Sequence, residues 1–118
     1  MARASRNTPA ASINRGSLWW VDLDPTRGAE IRKTRPAVVL SAEGLNRARR
    51  TVVIVPLSTG PQPHPPIVVP PPSAGVGSVA VCDQLRAVDK TRLTRLSGVL
   101  SREDLRAVED AVRIVLQL

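Results

Sequence analysis

The chain has 118 residues with 17 Lys+Arg against 10 Asp+Glu, a net charge of +7, and is 42% hydrophobic; that is enough for one domain with one core, not two. Two tryptophans are its only aromatic residues, so platforms for stacking bases are scarce, while the positive excess makes a polyanion the expected partner, nucleic acid ahead of an anionic membrane. Apolar runs reach only five or six residues, as in Val52 to Leu57, too short to span a bilayer as a helix, and a single Cys with a single His rules out an internal disulfide and a His/Cys zinc site within one chain.

In chain order, residues 1–14 are rich in Ala, Ser and Arg and read as a disordered basic tail; a transit peptide shares that composition. Ser17 to Leu23 is a strand of β-formers, apolar on both faces until Asp22 and closed by Asp24-Pro25, hence central or covered. Trp19 and Trp20 then point to opposite faces. One belongs to the core, and the other stacks a base or lines a dimer interface, the interface being preferred. A polar loop, Thr26 to Thr34, leads to a second strand from Arg35-Pro36 to Ser41. Ala42 to Arg50 reads as a short helical turn and loop, and Thr51 to Leu57 as a third strand, with Pro56 arguing for an edge or bulge. Seven prolines between Pro61 and Pro72 surround His64 and the run Ile67-Val68-Val69. This segment reads as a rigid loop with an edge strand. Gly75-Val76-Gly77 is a turn, Ser78 to Val88 a long or bulged strand, and Arg95 to Leu100 a last one. From Ser101 a helix begins with a cap resembling a capping box through Asp104, and Leu105, Val108, Val112, Val115 and Leu116 fall on one face. Short strands with one terminal helix predict a mainly β domain over residues 15–118, a small antiparallel barrel or strongly curved sheet.

The charge is uneven: residues 1–50 hold ten basic and four acidic side chains, and the remainder seven and six. The basic surface therefore belongs to the first half. Its centre is Glu30, with Arg27 before it and Arg32, Lys33 and Arg35 after it. Such a carboxylate among cations suits a base or orienting group beside a phosphodiester whose developing charge the cations stabilise; it equally suits a solvated loop whose charges offset one another. Ser58 and Thr59 end the third strand, where their hydroxyls either donate to a phosphate oxygen or shape a turn. Asp83 and Gln84, within a strand, make a buried hydrogen bond or contact substrate.

The segments Arg15 to Glu30, Thr34 to Ser41, Val55 to Thr59 and Cys82 to Asp89, followed by Arg92-Leu93 and the closing helix, occur in the order seen in MazF/PemK-type toxins. The chain resembles that family over about 100 residues. The resemblance implies an SH3-like barrel with a terminal helix, a cytoplasmic homodimer, and a metal-independent endoribonuclease that cuts single-stranded RNA at short sequences with no cofactor. It also implies an acidic MazE-like antitoxin that occupies the RNA groove. Carried over by position, Arg35 matches the family's catalytic arginine before proline, Ser58 stands where many members have a catalytic threonine, Glu30 matches a loop glutamate, and Asp83 matches an aspartate implicated in some members. Arg27, Arg32, Lys33, Thr59, Asp83 and Gln84 are the expected RNA-binding residues. Ala29 and Val81 replace a histidine and an arginine of the Kid/PemK branch, so that branch's acid–base scheme is lost. Two other classes share such an architecture: a gyrase-directed toxin of CcdB type and a plain basic nucleic-acid-binding barrel.

Overall fold

The computed structural model describes residues 13–118. Seven strands and two α-helices follow one another as β1 (Ser17–Asp22), β2 (Thr34–Val39), α1 (Glu43–Ala48), β3 (Thr51–Ser58), β4 (Val68–Val69), β5 (Val79–Val81), β6 (Arg86–Asp89), β7 (Leu93–Val99) and α2 (Arg102–Leu116). All pairings are antiparallel, in the order β4-β5-β3-β2-β1-β7 with β6 also on β3. The expected curved sheet with a C-terminal helix is what forms; among the described residues no ladder joins β7 to β4 or β6, so the barrel stays open.

β1 explains why its residues are apolar on both faces. It runs between β2 and β7, and Leu18 enters one apolar cluster while Trp19 and Val21 enter another. The first cluster lies under α2, with Val38, Val55 and Leu57 of the sheet against Val108, Ala111 and Val112 of the helix. The second fills the opposite concavity with Val39, Ile54, Val88 and Leu93. Ile13, assigned to the tail by sequence, is 2% exposed in this second cluster. Asn14, also of the expected tail, accepts from Ser17 N–H (3.0 Å), and residues 1–12 lie outside the described part.

Pro56 does not mark an edge. It sits in the middle of the sheet opposite Ala37 of β2, and the other side of β3 is where its effect appears. There β6 pairs with Thr51 to Ile54 and β5 with Leu57 and Ser58, so the proline, lacking an N–H to donate, falls in the gap between two partners. The single strand expected over Ser78 to Val88 is accordingly two strands parted by a 3₁₀ turn, Cys82–Gln84. The last strand begins earlier than expected, at Leu93.

Two junctions hold the helix to the sheet. Gly16 has φ of +89°, where a side chain is strained, and a Cβ there would lie 3.2 Å from Leu105 of α2. Its N–H donates to Val39 (2.7 Å) and its carbonyl accepts from Leu100 (2.9 Å). Next to it, the Arg15 guanidinium donates to the Leu40 carbonyl and pairs with Glu109. At the start of α2, Ser101 Oγ accepts from Asp104 N–H at 3.1 Å, which is the Ser101 half of the expected capping box; the other half is absent, since Ser101 N–H donates to Ser73 Oγ and Asp104 Oδ2 accepts from Ser73. Leu116, expected on the buried face, is 48% exposed.

Candidate active site

Between β1 and β2 the chain must reverse over 11 residues, and the loop is bound at both ends. Asp24 Oδ1 accepts from Lys33 N–H (3.0 Å), and Leu23 N–H donates to the Lys33 carbonyl (3.0 Å). Lys33 takes a φ of +71° there, uncommon for a residue with a side chain and held by these two bonds. Arg92 reaches across from the turn before β7 to donate to the carbonyls of Asp22 (2.9 Å) and Asp24.

The tip of the loop is held by side-chain amide and carboxylate groups. Glu30 accepts from the backbone N–H of Arg27, whose carbonyl in turn accepts from Glu30 N–H at 3.1 Å. Gln84, on the 3₁₀ turn that follows β5, accepts from Ile31 N–H with Oε1 (2.8 Å) and donates to the Ala29 carbonyl with Nε2 (3.3 Å). The two ends of one amide thus bind the peptide groups on either side of Glu30. A cleft of about 440 Å³ opens here, lined by Glu30, Asp83, Gln84 and Arg86 among others.

A second cleft of about 320 Å³ lies at the ends of β2 and β3. Arg35, Ser58 and Thr59 meet there, with Trp20 and Pro36 as its apolar wall. Ala37 and Val39 of β2 enter one cluster and Val38 the other; Arg35, two residues before Ala37, stands where the strand reaches the rim of the sheet. Its Nε donates to the Arg32 carbonyl at 3.3 Å, which leaves the Nη groups for a ligand. Ser58 Oγ accepts from Gly60 N–H (3.3 Å), so its turn-forming role is real, and the hydroxyl proton remains as a donor.

The expected residues are therefore brought together in two groups: Arg35, Ser58 and Thr59 in one cleft, Glu30, Asp83 and Gln84 in the other. Arg27, Arg32 and Lys33 are exposed on the loop and line neither, although Arg32 Nη2 donates to Gly28 (3.2 Å) and so braces the tip. Asp83 is exposed rather than buried. Trp19 is core at 3% exposure, and Trp20 is the half-buried tryptophan, with the Arg95 guanidinium 5.4 Å above its ring. Thr34, Ser78 and Arg86 were not expected. Thr34 adjoins Arg35 in sequence, which is a usable signal, but Ser78 reaches its cleft through the pairing of β5 with the end of β3, and Arg86 follows the break between β5 and β6.

One nucleophile is out of play. Cys82 is fully buried, and burial, with Asp83 beside it, pushes its thiol up to about 12. Among the described residues no helix is long and apolar enough to cross a membrane.

Comparison with known proteins places the sequence and the fold. The family model described as PemK-like, MazF-like toxin of type II toxin-antitoxin system matches residues 14–116. Endoribonuclease MazF9 of Mycobacterium tuberculosis is 31% identical over 115 residues, covering 90% of this chain and 98% of that one. Among solved structures, MazF from Deinococcus radiodurans superposes with a TM-score of 0.77 at 24% identity, covering 89% of this chain and 96% of the other. A mycobacterial endoribonuclease in complex with its cognate antitoxin gives 0.71 at 23% identity, with 89% and 93% covered.

Proposed function

Because the chain belongs to the PemK-like, MazF-like toxins of type II toxin-antitoxin systems, we propose that it is an endoribonuclease that cuts single-stranded RNA at short sequences and leaves 2′,3′-cyclic phosphate and 5′-hydroxyl ends. The observation that carries this reading is the cleft in which Arg35 from β2 meets Ser58, the last residue of β3, and Thr59 just beyond it. A guanidinium and two hydroxyls are donors only in the direction of a phosphate, and they suit the charge of a phosphorane better than that of the ground-state diester.

In the proposed reaction the ribose 2′-oxygen attacks the adjacent phosphorus in line, the bond to the 5′-oxygen breaks, and the chain is cut without an external nucleophile. Arg35 stabilises the dianionic phosphorane through its Nη groups. Ser58 donates to a nonbridging oxygen, with Thr59 beside it. A guanidinium is a permanent cation, so its contribution is electrostatic, and the leaving 5′-oxygen takes its proton from solvent. The proton of the 2′-hydroxyl goes to a carboxylate: Glu30, held in the neighbouring cleft by Arg27 N–H and by the Gln84 brace on either side of it, is the acceptor once bound RNA draws its loop towards the cleft of Arg35. Arg27, Arg32, Lys33 and Arg86 hold flanking phosphates. No metal or cofactor takes part in this scheme, in which solvent supplies the leaving oxygen's proton and side chains do the rest.

The same reading gives the partners. An antitoxin with an acidic segment fits the net charge of +7, and a solved relative carries its cognate antitoxin. A homodimer would cover the apolar Leu96 and Val99 of β7, which are 50% and 66% exposed. The cytoplasm is where such a substrate and partner are met.

Incubation of the purified protein with a long RNA in EDTA, with mapping of the cut ends, tests the function. Wild type is expected to leave cyclic phosphates at recurring sequences, and Arg35→Ala to lose on the order of 100-fold or more in rate, the usual loss when a transition-state donor is removed. Wild-type rates in Arg35→Ala would remove that residue from the mechanism, and RNA bound but never cut would leave only a binding barrel.

A further inference from the structure

We propose that the second cleft holds an unpaired nucleobase stacked on Trp20, next to the phosphate that Arg35 meets. This rests on the nuclease reading for the identity of the ligand, but the site itself is argued from its walls.

The chain has two aromatic side chains, and its fold spends one of them, Trp19, on the core. Trp20 is the next residue of the same strand, so it faces the other way. Its register places it between Pro36 of β2 and Arg95 of β7. A large apolar ring at this position has no need to reach a cleft, since Leu18 alone carries the β1 contribution to the cluster under the helix; yet Trp20 lines the cleft of Arg35, together with Pro36 and Leu57. The Arg95 guanidinium lies 5.4 Å from the ring centroid and forms no ion pair among the described residues, so it fixes the indole and adds positive charge to the wall.

That combination matches a nucleotide in each of its parts. Around 320 Å³ is at the small end of ligand sites. The flat wall of Trp20 and Pro36 takes the face of a base, the hydroxyls of Thr34 and Ser78 stand where its edge can be hydrogen-bonded, and Arg35 takes the phosphate. A protein with few aromatics that binds single-stranded RNA must concentrate its stacking energy, and Trp20, half-buried, is the one ring not sealed in the core. The dimer interface to which sequence assigned this tryptophan is the competing use of the same side chain.

The test compares binding of uncleavable 2′-O-methyl hexanucleotides of each single base with an abasic hexamer of the same backbone. Wild type is expected to bind at least one of the four about tenfold more tightly than the abasic strand. Trp20→Leu, which keeps an apolar side chain but has no ring, should remove that margin and leave abasic binding within about twofold, while Trp20→Phe keeps most of it. A margin absent in wild type, or preserved in Trp20→Leu, overturns the proposal. Equal weakening of intact and abasic strands in Trp20→Leu also overturns it, and assigns the ring to structure or to an interface, which sedimentation of the variant would show. Cleavage of a long RNA by wild type, run in parallel, keeps the two readings apart: a base-dependent margin without cutting retains the subsite and removes the nuclease, and cutting without a margin does the reverse.

Discussion

Cys82 lies within four residues of Glu30's cleft in sequence order, directly before Asp83 and Gln84, but its thiol is sealed in the core and pushed up to about 12 by burial and by Asp83. Because the thiolate is the reactive form, we predict that iodoacetamide at pH 8 leaves the native protein unlabelled and labels it rapidly in urea; fast native labelling would show that the 3₁₀ turn opens. Gln84 teaches how much of a site a sequence exposes. Arg35, Ser58 and Glu30 stand out in the sequence because each belongs to a short polar stretch beside an apolar run. The sequence offers Gln84 a structural hydrogen bond or a substrate contact, and the first is what forms: both ends of its amide are occupied by Ala29 and Ile31, 55 and 53 residues away. No local pattern carries that information.

The same limit operates on elements. The strands β1, β2 and β3 and the helix α2 were visible through β-forming runs and helical spacing, since each meets its core with its own periodicity. The division of Ser78 to Val88 was not, because its cause, Pro56, sits on the neighbouring strand. The link between the Pro-rich segment and α2 is likewise a tertiary one: Ser73 donates to Asp104 through N–H (2.7 Å) and hydroxyl, and Ser101 N–H donates to Ser73 Oγ (3.0 Å). Burial acts to raise the Asp104 pKa, but the bonds from Ser73 and Ser101 outweigh it and hold the carboxyl below its usual range. A carboxyl with a depressed folded value stabilises the fold above its unfolded value of about 3.9, and loses that effect as pH falls through the folded one. Asp104→Asn should therefore unfold at lower urea than wild type at pH 7, with the gap narrowing as the pH falls below about 3.9; a gap unchanged with pH would deny the charge a role. Ser101→Ala, which removes the cap, should cost about 1 kcal/mol by the same measurement.

For the molecule as a whole, the net charge of +7 divides between the basic loop around Glu30 and scattered arginines, so its electrostatics have a testable composition. Binding to single-stranded RNA should weaken linearly with the logarithm of salt, with a slope of about −0.7 per phosphate neutralised. Replacing Arg27, Arg32 and Lys33 by alanine together should flatten that slope by about 2 if all three touch phosphates; an unchanged slope would return them to a solvated loop. The Gln84 brace has its own effect at this scale. A loop secured only by its neighbours in sequence can melt alone, but this one is secured by a residue that enters the structure only once β5, β6 and β3 have assembled. The bracing of the peptide groups around Glu30 is thus a property of the completed fold. A chain emerging from synthesis lacks this brace until its last third is in place, and partial unfolding from the β5–β6 corner releases the loop at the other end of the sequence.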